Sequence, residues 1–318
     1  MGYLDPNHAK LEDLMDIGTG PTLFVDTVAG SATGTGRSWE GAYSTMALAF
    51  ADLLALHTAT AKSGDNATIY ARGVIAEQIS CPLGVSGVRV IGAAGGRSRH
   101  DNGIRWKEAA VPGNAPLCIV HEQGWEFHNL LFVPQATYSA LKFWRAEDAV
   151  HPDGSHAIVK GCYFVGDDVT TPQGIGVEDY GGHNHMLIED NEFQGLDFAI
   201  KETNAGISSV IRWMIRGNTF RRNKNDIGGN FTRSSILNNT FDTPYHGTTH
   251  PIIINLAYTA DESGRNVVHN NIFPDIISAI DDDHGYIEST GDIWGGNWAS
   301  TSTSAASGAP WGGVPADS

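Results

Sequence analysis

The chain has 318 residues, 41% of them apolar and only 18% charged, which suits one elongated domain or two compact ones with a large core. Its 38 glycines and sparse charge favour strands and turns over helices. The formal net charge of −16, with 20 Lys and Arg against 36 Asp and Glu, opposes phosphate backbones and anionic lipid and so argues against nucleic acid and membrane as partners. Polyanionic sugars are opposed as well, unless a local basic patch or a cation intervenes.

Residues 1–20 read as an N-terminal arm. Asp5-Pro6 suits a helix start, Leu11, Leu14 and Met15 give a short apolar stripe, and Gly18-Thr19-Gly20 ends it. The opening residues carry neither the basic nor the apolar region of a secretory signal, and no run of about 18 apolar residues offers a membrane span. The expected site of synthesis is the cytosol. The three cysteines, Cys81, Cys118 and Cys162, are too widely spaced for a disulfide framework or a C-x-x-C metal motif, and are expected as buried free thiols.

Residues 21–65 read as a cap. A strand at Thr22–Asp26 leads into a Gly/Ser/Thr loop ending at Gly36. Tyr43, Met46, Phe50, Leu53 and His57 then step by three and four, the stripe of an amphipathic helix, bounded by Lys62-Ser63-Gly64-Asp65. Further strands follow at residues 67–71 and 88–92. That order would let the helix plug one open end of a stack of coils.

From there a repeat of the form Φ-x-x-N-x-F, with Φ apolar, takes over. Four copies are complete: Ile188 with Asn191 and Phe193, Ile215 with Asn218 and Phe220, Ile236 with Asn239 and Phe241, and Val268 with Asn271 and Phe273. Two earlier copies lack the Asn, Phe127 with Leu130 and Phe132, and Val159 with Cys162 and Phe164. The Phe positions run from 132 to 273 in five intervals, so the mean period is about 28 residues. Propeller blades need about 40 residues or more, and helical repeats need a 3.6-residue period that these segments lack. The period and the short strands predict a right-handed parallel β-helix over residues 66–295, of about eight coils. Equivalent residues of successive coils would lie about 4.8 Å apart, stacking the Phe rings and laddering the Asn amides. Residues 296–318, rich in Ser, Thr, Ala and Gly, read as an extended or disordered C-terminal arm carrying Trp311, and Trp294 and Trp298 could cap the last coil.

Val25-Asp26, the Gly/Thr loop, the segment from Gly36-Arg37-Ser38-Trp39 to Ala42 and the helix after it resemble the N-terminal cap of pectin-lyase-like β-helix proteins. The N-x-F coils are similar to the same superfamily, and the likeness spans residues 22–290. With no signal peptide and roughly this length, the chain also resembles virion proteins of tailed bacteriophages. That resemblance implies a non-enzymatic structural role, a capsid decoration (cement) protein assembled as a homotrimer on the major capsid protein. It equally allows a tailspike-like glycan hydrolase, lyase or receptor-binding protein acting on surface polysaccharide. Fold alone does not choose between them.

The chemistry of the residues leans to the structural role. Glycoside hydrolysis needs two placed carboxylates, and Asp167-Asp168 and Asp281-Asp282-Asp283-His284 qualify only as acidic runs after apolar strands, more simply read as solvated turns. Arg212, Arg216, Arg221, Arg222 and Lys224 cluster at one repeat, with Asp190 and Glu192 one coil back, the pattern of a salt-bridged face rather than a lyase base. His183 and His185 would share a strand face and could hold a metal, but no third ligand accompanies them. No catalytic residue, metal site or cofactor is therefore assigned. For a glycan groove, Tyr180, Trp213 and Tyr245 are the available aromatics.

Overall fold

The computed structural model describes residues 20–59, 64–93, 104–108, 115–135, 137–144, 155–166, 172–203, 210–242, 252–255, 264–273, 286–287, 292–299 and 310–311. Apart from one helix, Met46–Ala59, the regular elements in these residues are strands. Three long sheets hold all of these strands except Val210–Ile211 and Phe231–Thr232, which pair with each other. The first runs from Thr22–Asp26 to Ile293–Gly295 in ten strands, the second from Val74–Ala76 to Pro310–Trp311 in ten, and the third from Ile79–Ser80 to Tyr286–Ile287 in eight. The chain visits the sheets in turn and every pairing but the last is parallel, so each circuit is one coil of a parallel β-helix. Nine strands of the first sheet fall after residue 66 and bound eight successive coils, as the mean period predicts, although single coils vary from 21 residues between Thr68 and Arg89 to 37 between Arg89 and Glu126.

The core repeats because each coil sets the same demands. Phe132, Phe164, Phe193, Phe220 and Phe241 stack with ring centroids 4.7–5.2 Å apart, and Trp106 extends the column at 5.7 Å from Phe132. All are fully buried, and each such side chain contributes about 1.5–3 kcal/mol on leaving water. Beside this column runs the amide ladder. Asn191, Asn218, Asn239 and Asn271 each donate through Nδ2 to the Oδ1 of the next Asn and to the carbonyl of the preceding coil's apolar strand, and Asn297 closes the series. Each Oδ1 also accepts the backbone N–H of the residue one coil back. A buried corner thus has its polar groups satisfied. The residue just before each rung has positive φ and is Gly, Asn or Asp, and Cβ on Gly217 would stand 2.7 Å from Asp190 Oδ1.

The helix closes one end. Its Met46, Ala49, Phe50 and Leu53 are buried, and Phe50 meets Trp125 edge-on at 5.4 Å. Glu77, from the coil wall, accepts the N–H groups of Met46 and Ala47 at 2.8 and 2.9 Å, satisfying donors that the helix itself cannot. At the other end Pro310–Trp311 pairs antiparallel with Asn297–Ala299, which belongs to the second sheet; the β-helix body therefore runs past residue 295, and part of the C-terminal segment folds back on it. The cysteines are free and buried, with Cys81 and Cys118 sulfurs 3.7 Å apart. No helix among the described residues is long and apolar enough to cross a membrane.

Candidate functional site on the third sheet

The third sheet is the one that departs from the repeat. Register aligns Lys142 with Glu178 and Lys201, and Trp144 with Tyr180, on neighbouring strands Ser139–Trp144, Ile175–Tyr180 and Phe198–Glu202. Alternation turns these five side chains outward. Glu178 is held from three sides. The Ser139 hydroxyl donates to its Oε2, Lys142 Nζ lies 3.6 Å from the same oxygen, and Thr203 Oγ1 donates to Oε1 at 3.1 Å. Lys142 Nζ also sits 4.4 Å from the centroid of the Tyr180 ring and 5.8 Å from that of Trp144. The two rings meet edge to face at 6.5 Å, and His121 fixes Trp144 from behind by donating from Nδ1 to its carbonyl at 3.2 Å. Trp144 remains 37% exposed. The result is a pair of aromatic surfaces beside one carboxylate and two ammonium groups.

Directly inside the same strand ends lies a buried polar cluster. Asp179 accepts from His183 Nδ1 and from the Gly182 N–H, and Glu202 accepts the Asn230 N–H at 2.9 Å. His183 Nε2 and Glu202 Oε1 are buried without a hydrogen-bond partner among the described residues. Burial, reinforced by the nearby Asp179 charge and opposed by the Asn230 N–H, pushes the Glu202 carboxyl up to about 7. Burial likewise raises Asp226 to about 8, against the Asn223 amide that donates to it at 2.8 Å.

No family model matches the chain, and no curated protein does. Among solved structures it is similar to a C387A mutant of DFA-IIIase from Arthrobacter chlorophenolicus A6 in complex with DFA-III, at 16% identity, with 87% of this chain and 76% of that chain covered and a TM-score of 0.46. At that level no residue role passes from one chain to the other.

The residues singled out from the sequence are distributed differently from expectation. His183 and His185 do not share a face: His183 is fully buried against Asp179, whereas His185 is exposed at a positive-φ corner with its ring stacked 4.9 Å from His156. Among the described residues no cluster of three or more His, Cys, Asp or Glu could hold a metal ion. Trp213 is core, not groove, since it is 1% exposed and donates from Nε1 to the His183 carbonyl at 2.7 Å. Aligned on the repeat, it occupies the inward corner that Trp125 and Met186 fill in other coils. Tyr180 does face outward, while Tyr245, Asp167-Asp168 and Asp281 to His284 lie outside the described residues. The salt-bridged face exists on the first sheet, but there Arg216 and Lys160 both engage Glu189, at 2.6 Å each, and Asp190 serves as a corner residue beside Gly217. The Lys160 and Arg216 hydrogen bonds hold Glu189 below the usual carboxylate range against a smaller effect of burial. Lys142, Trp144 and Glu178 went unread in the sequence, because nothing in the repeat marks them.

Proposed function

We propose that the protein is a carbohydrate-binding β-helix that holds an extended glycan across the outer face of its third sheet. The observation that carries this reading is the Trp144–Tyr180 pair with Lys142 and Glu178 fixed beside it. Aromatic faces pack against the C–H faces of sugar rings, and a preorganised carboxylate and ammonium match hydroxyl groups. Hydrolysis of a glycosidic bond calls for two placed carboxylates. On the outward positions of these three strands Glu178 stands alone, engaged by Ser139, Lys142 and Thr203, so binding rather than cleavage is the function proposed. In a virion such a protein would serve as a receptor-binding element of the tailspike type. The capsid-decoration homotrimer is the second reading; of its N-terminal arm at residues 1–20 only Gly20 is among the described residues.

The test is calorimetric titration of the full chain with a panel of neutral and charged oligosaccharides, repeated with Trp144→Ala and Tyr180→Ala. Binding lost in both variants, with unchanged melting, supports the reading. A glycan bound equally well by both variants, or no binding to any member of the panel, sinks it.

A further inference from the structure

A second surface, at the corner that leads from the third sheet into the first, carries charge of the opposite sign to the molecule. His156, His185, Arg212, Arg233 and Arg265 occupy one corner position in five successive coils. Their stacking is fixed by backbone bonds. The N–H groups of His156, His185, Arg212 and Arg233 donate to the carbonyls of Asn184, Ile211, Thr232 and Gly264, each the residue just before the next member of the column. The His156 and His185 rings stack at 4.9 Å, and Arg212 donates to His185 Nε2 at 3.2 Å. All five side chains are exposed, and among the described residues no carboxylate pairs with Arg212, Arg233 or Arg265. At about 4.8 Å per coil the column spans about 19 Å.

The backbone at these positions makes the choice of residue informative. Their φ values are +62°, +59°, +61°, +52° and +60°, a region that penalises any residue with a Cβ and that glycine adopts freely. In the first coils the same column holds Asn66, Gly87 and Gly124, and at the neighbouring ladder corner it holds only Gly, Asn or Asp. Five coils therefore keep strained basic residues where glycine would fit better. Local strain of this kind marks surfaces used for something other than stability.

We infer that this column is a binding site for an anionic polysaccharide bearing one carboxylate or sulfate per sugar. Arg212, Arg233 and Arg265, one per coil beside the two imidazoles, match a chain whose charges recur once per pyranose unit, because an extended pyranose is close to one coil spacing in length and its same-side charges then fall on every second coil. The alternatives fit less well. Duplex DNA carries a charge about every 1.7 Å and would meet a protein of net charge −16, and single-stranded nucleic acid needs stacking platforms that this corner does not offer beyond its two imidazoles. An extended acidic peptide presents same-side residues about 6.6 Å apart, out of step with the coils. Arginine guanidinium forks suit both carboxylate and sulfate. The site is separate from the third-sheet face and does not rest on the reading proposed for it.

The experiment uses the full chain at low ionic strength, titrated with oligogalacturonate and with heparin-derived oligosaccharide as the carboxylate and sulfate sources. A neutral maltooligosaccharide, oligo-dT and polyglutamate complete the set. One or both acidic glycans should bind, weakening as salt rises, and the combined Arg212→Gly, Arg233→Gly, Arg265→Gly variant should bind at least about tenfold more weakly through loss of three charged contacts. Because glycine suits the backbone, that variant should melt no lower than the parent. A fall in melting temperature, equal affinity in the variant, no binding of either acidic glycan, or equally tight binding of oligo-dT or polyglutamate would each overturn the inference. Acidic-glycan binding lost in Trp144→Ala but kept in the arginine variant would also overturn it, while leaving the third-sheet reading intact.

Discussion

The Cys162 thiol donates to the Phe127 carbonyl at 3.4 Å, in the place where the Asn191 amide, one coil on, donates to the Val159 carbonyl at 2.9 Å. Cys162 also gives its backbone N–H to Asn191 Oδ1. The sulfur is thus the first rung of the asparagine ladder, with a weaker donor and no acceptor oxygen to offer the coil before it. Burial pushes the thiol up to about 12, against backbone N–H and carbonyl neighbours that lower it, so it stays protonated and inert.

Two substitutions test this ladder. Cys162→Asn should be tolerated and raise stability by about 0.5–1.5 kcal/mol, the net worth of one added hydrogen bond. Asn218→Ala should lower it by about 3 kcal/mol or more, because Asn191 loses the acceptor for its N–H and Nδ2 and the Ile188 carbonyl loses its donor, each a buried group left unmatched. Urea unfolding of both variants checks the pair; equal midpoints would show that water replaces the rungs.

The aromatic column makes a second expectation. Phe220 sits between Phe193 at 5.2 Å and Phe241 at 4.8 Å and is fully buried. Phe220→Ala should cost about 3–5 kcal/mol, the range for a large core side chain whose space cannot collapse. Phe220→Leu should recover much of it. Chemical denaturation measures both, and a loss below about 1 kcal/mol for the alanine variant would mean that the coils close over the gap.

These two features were legible in the sequence for one physical reason: each coil buries the same positions, so the same letters recur at Phe and Asn. The basic corner recurs as regularly, three residues before the apolar anchors Val159, Ile188, Ile215, Ile236 and Val268, but its mixture of His and Arg hid it, and His185 and Arg212 were read into other groupings. The third-sheet face was not legible. Ser139 to Ile175 is 36 residues and Ile175 to Phe198 is 23, so Lys142, Glu178 and Lys201 come into line only through strand register. Aromatic type alone misled as well, since Trp213 and Trp144 differ in which side of the wall they face, and only alignment on the coil separates them.

The third-sheet face carries its own expectation. Trp144 is 37% exposed and caps no core contact of the ladder, so Trp144→Ala should leave melting nearly unchanged while glycan affinity falls about tenfold or more, the usual loss on removing a stacking platform. Trp213→Ala provides the contrast. That side chain is buried, and its loss should cost about 3–5 kcal/mol. Paired melting curves and titrations distinguish the two outcomes.

The buried acids should give stability an unusual slope with pH. Glu202 is raised to about 7 and Asp226 to about 8 in the folded chain, both chiefly by burial, from ordinary values near 4.5 and 3.8. Between the ordinary and the raised values the folded state binds more protons than the unfolded one, so stability must fall as pH rises. The penalty is absent below about pH 4, grows through pH 7 as Glu202 ionises and through pH 8 as Asp226 does, and then levels off. Asp226→Asn keeps an acceptor oxygen for the Asn223 amide and removes the charge. It should therefore melt higher than the parent at pH 8.5 and nearly equal to it at pH 4, and Glu202→Gln should show the same sign over a window that closes nearer pH 7. The difference between variant and parent isolates these two groups from surface carboxylates such as Glu189, whose lowered value works in the opposite direction at acid pH. A difference that does not grow with pH would show that Asp226 is already ionised at pH 4 and is matched by a partner in the folded chain.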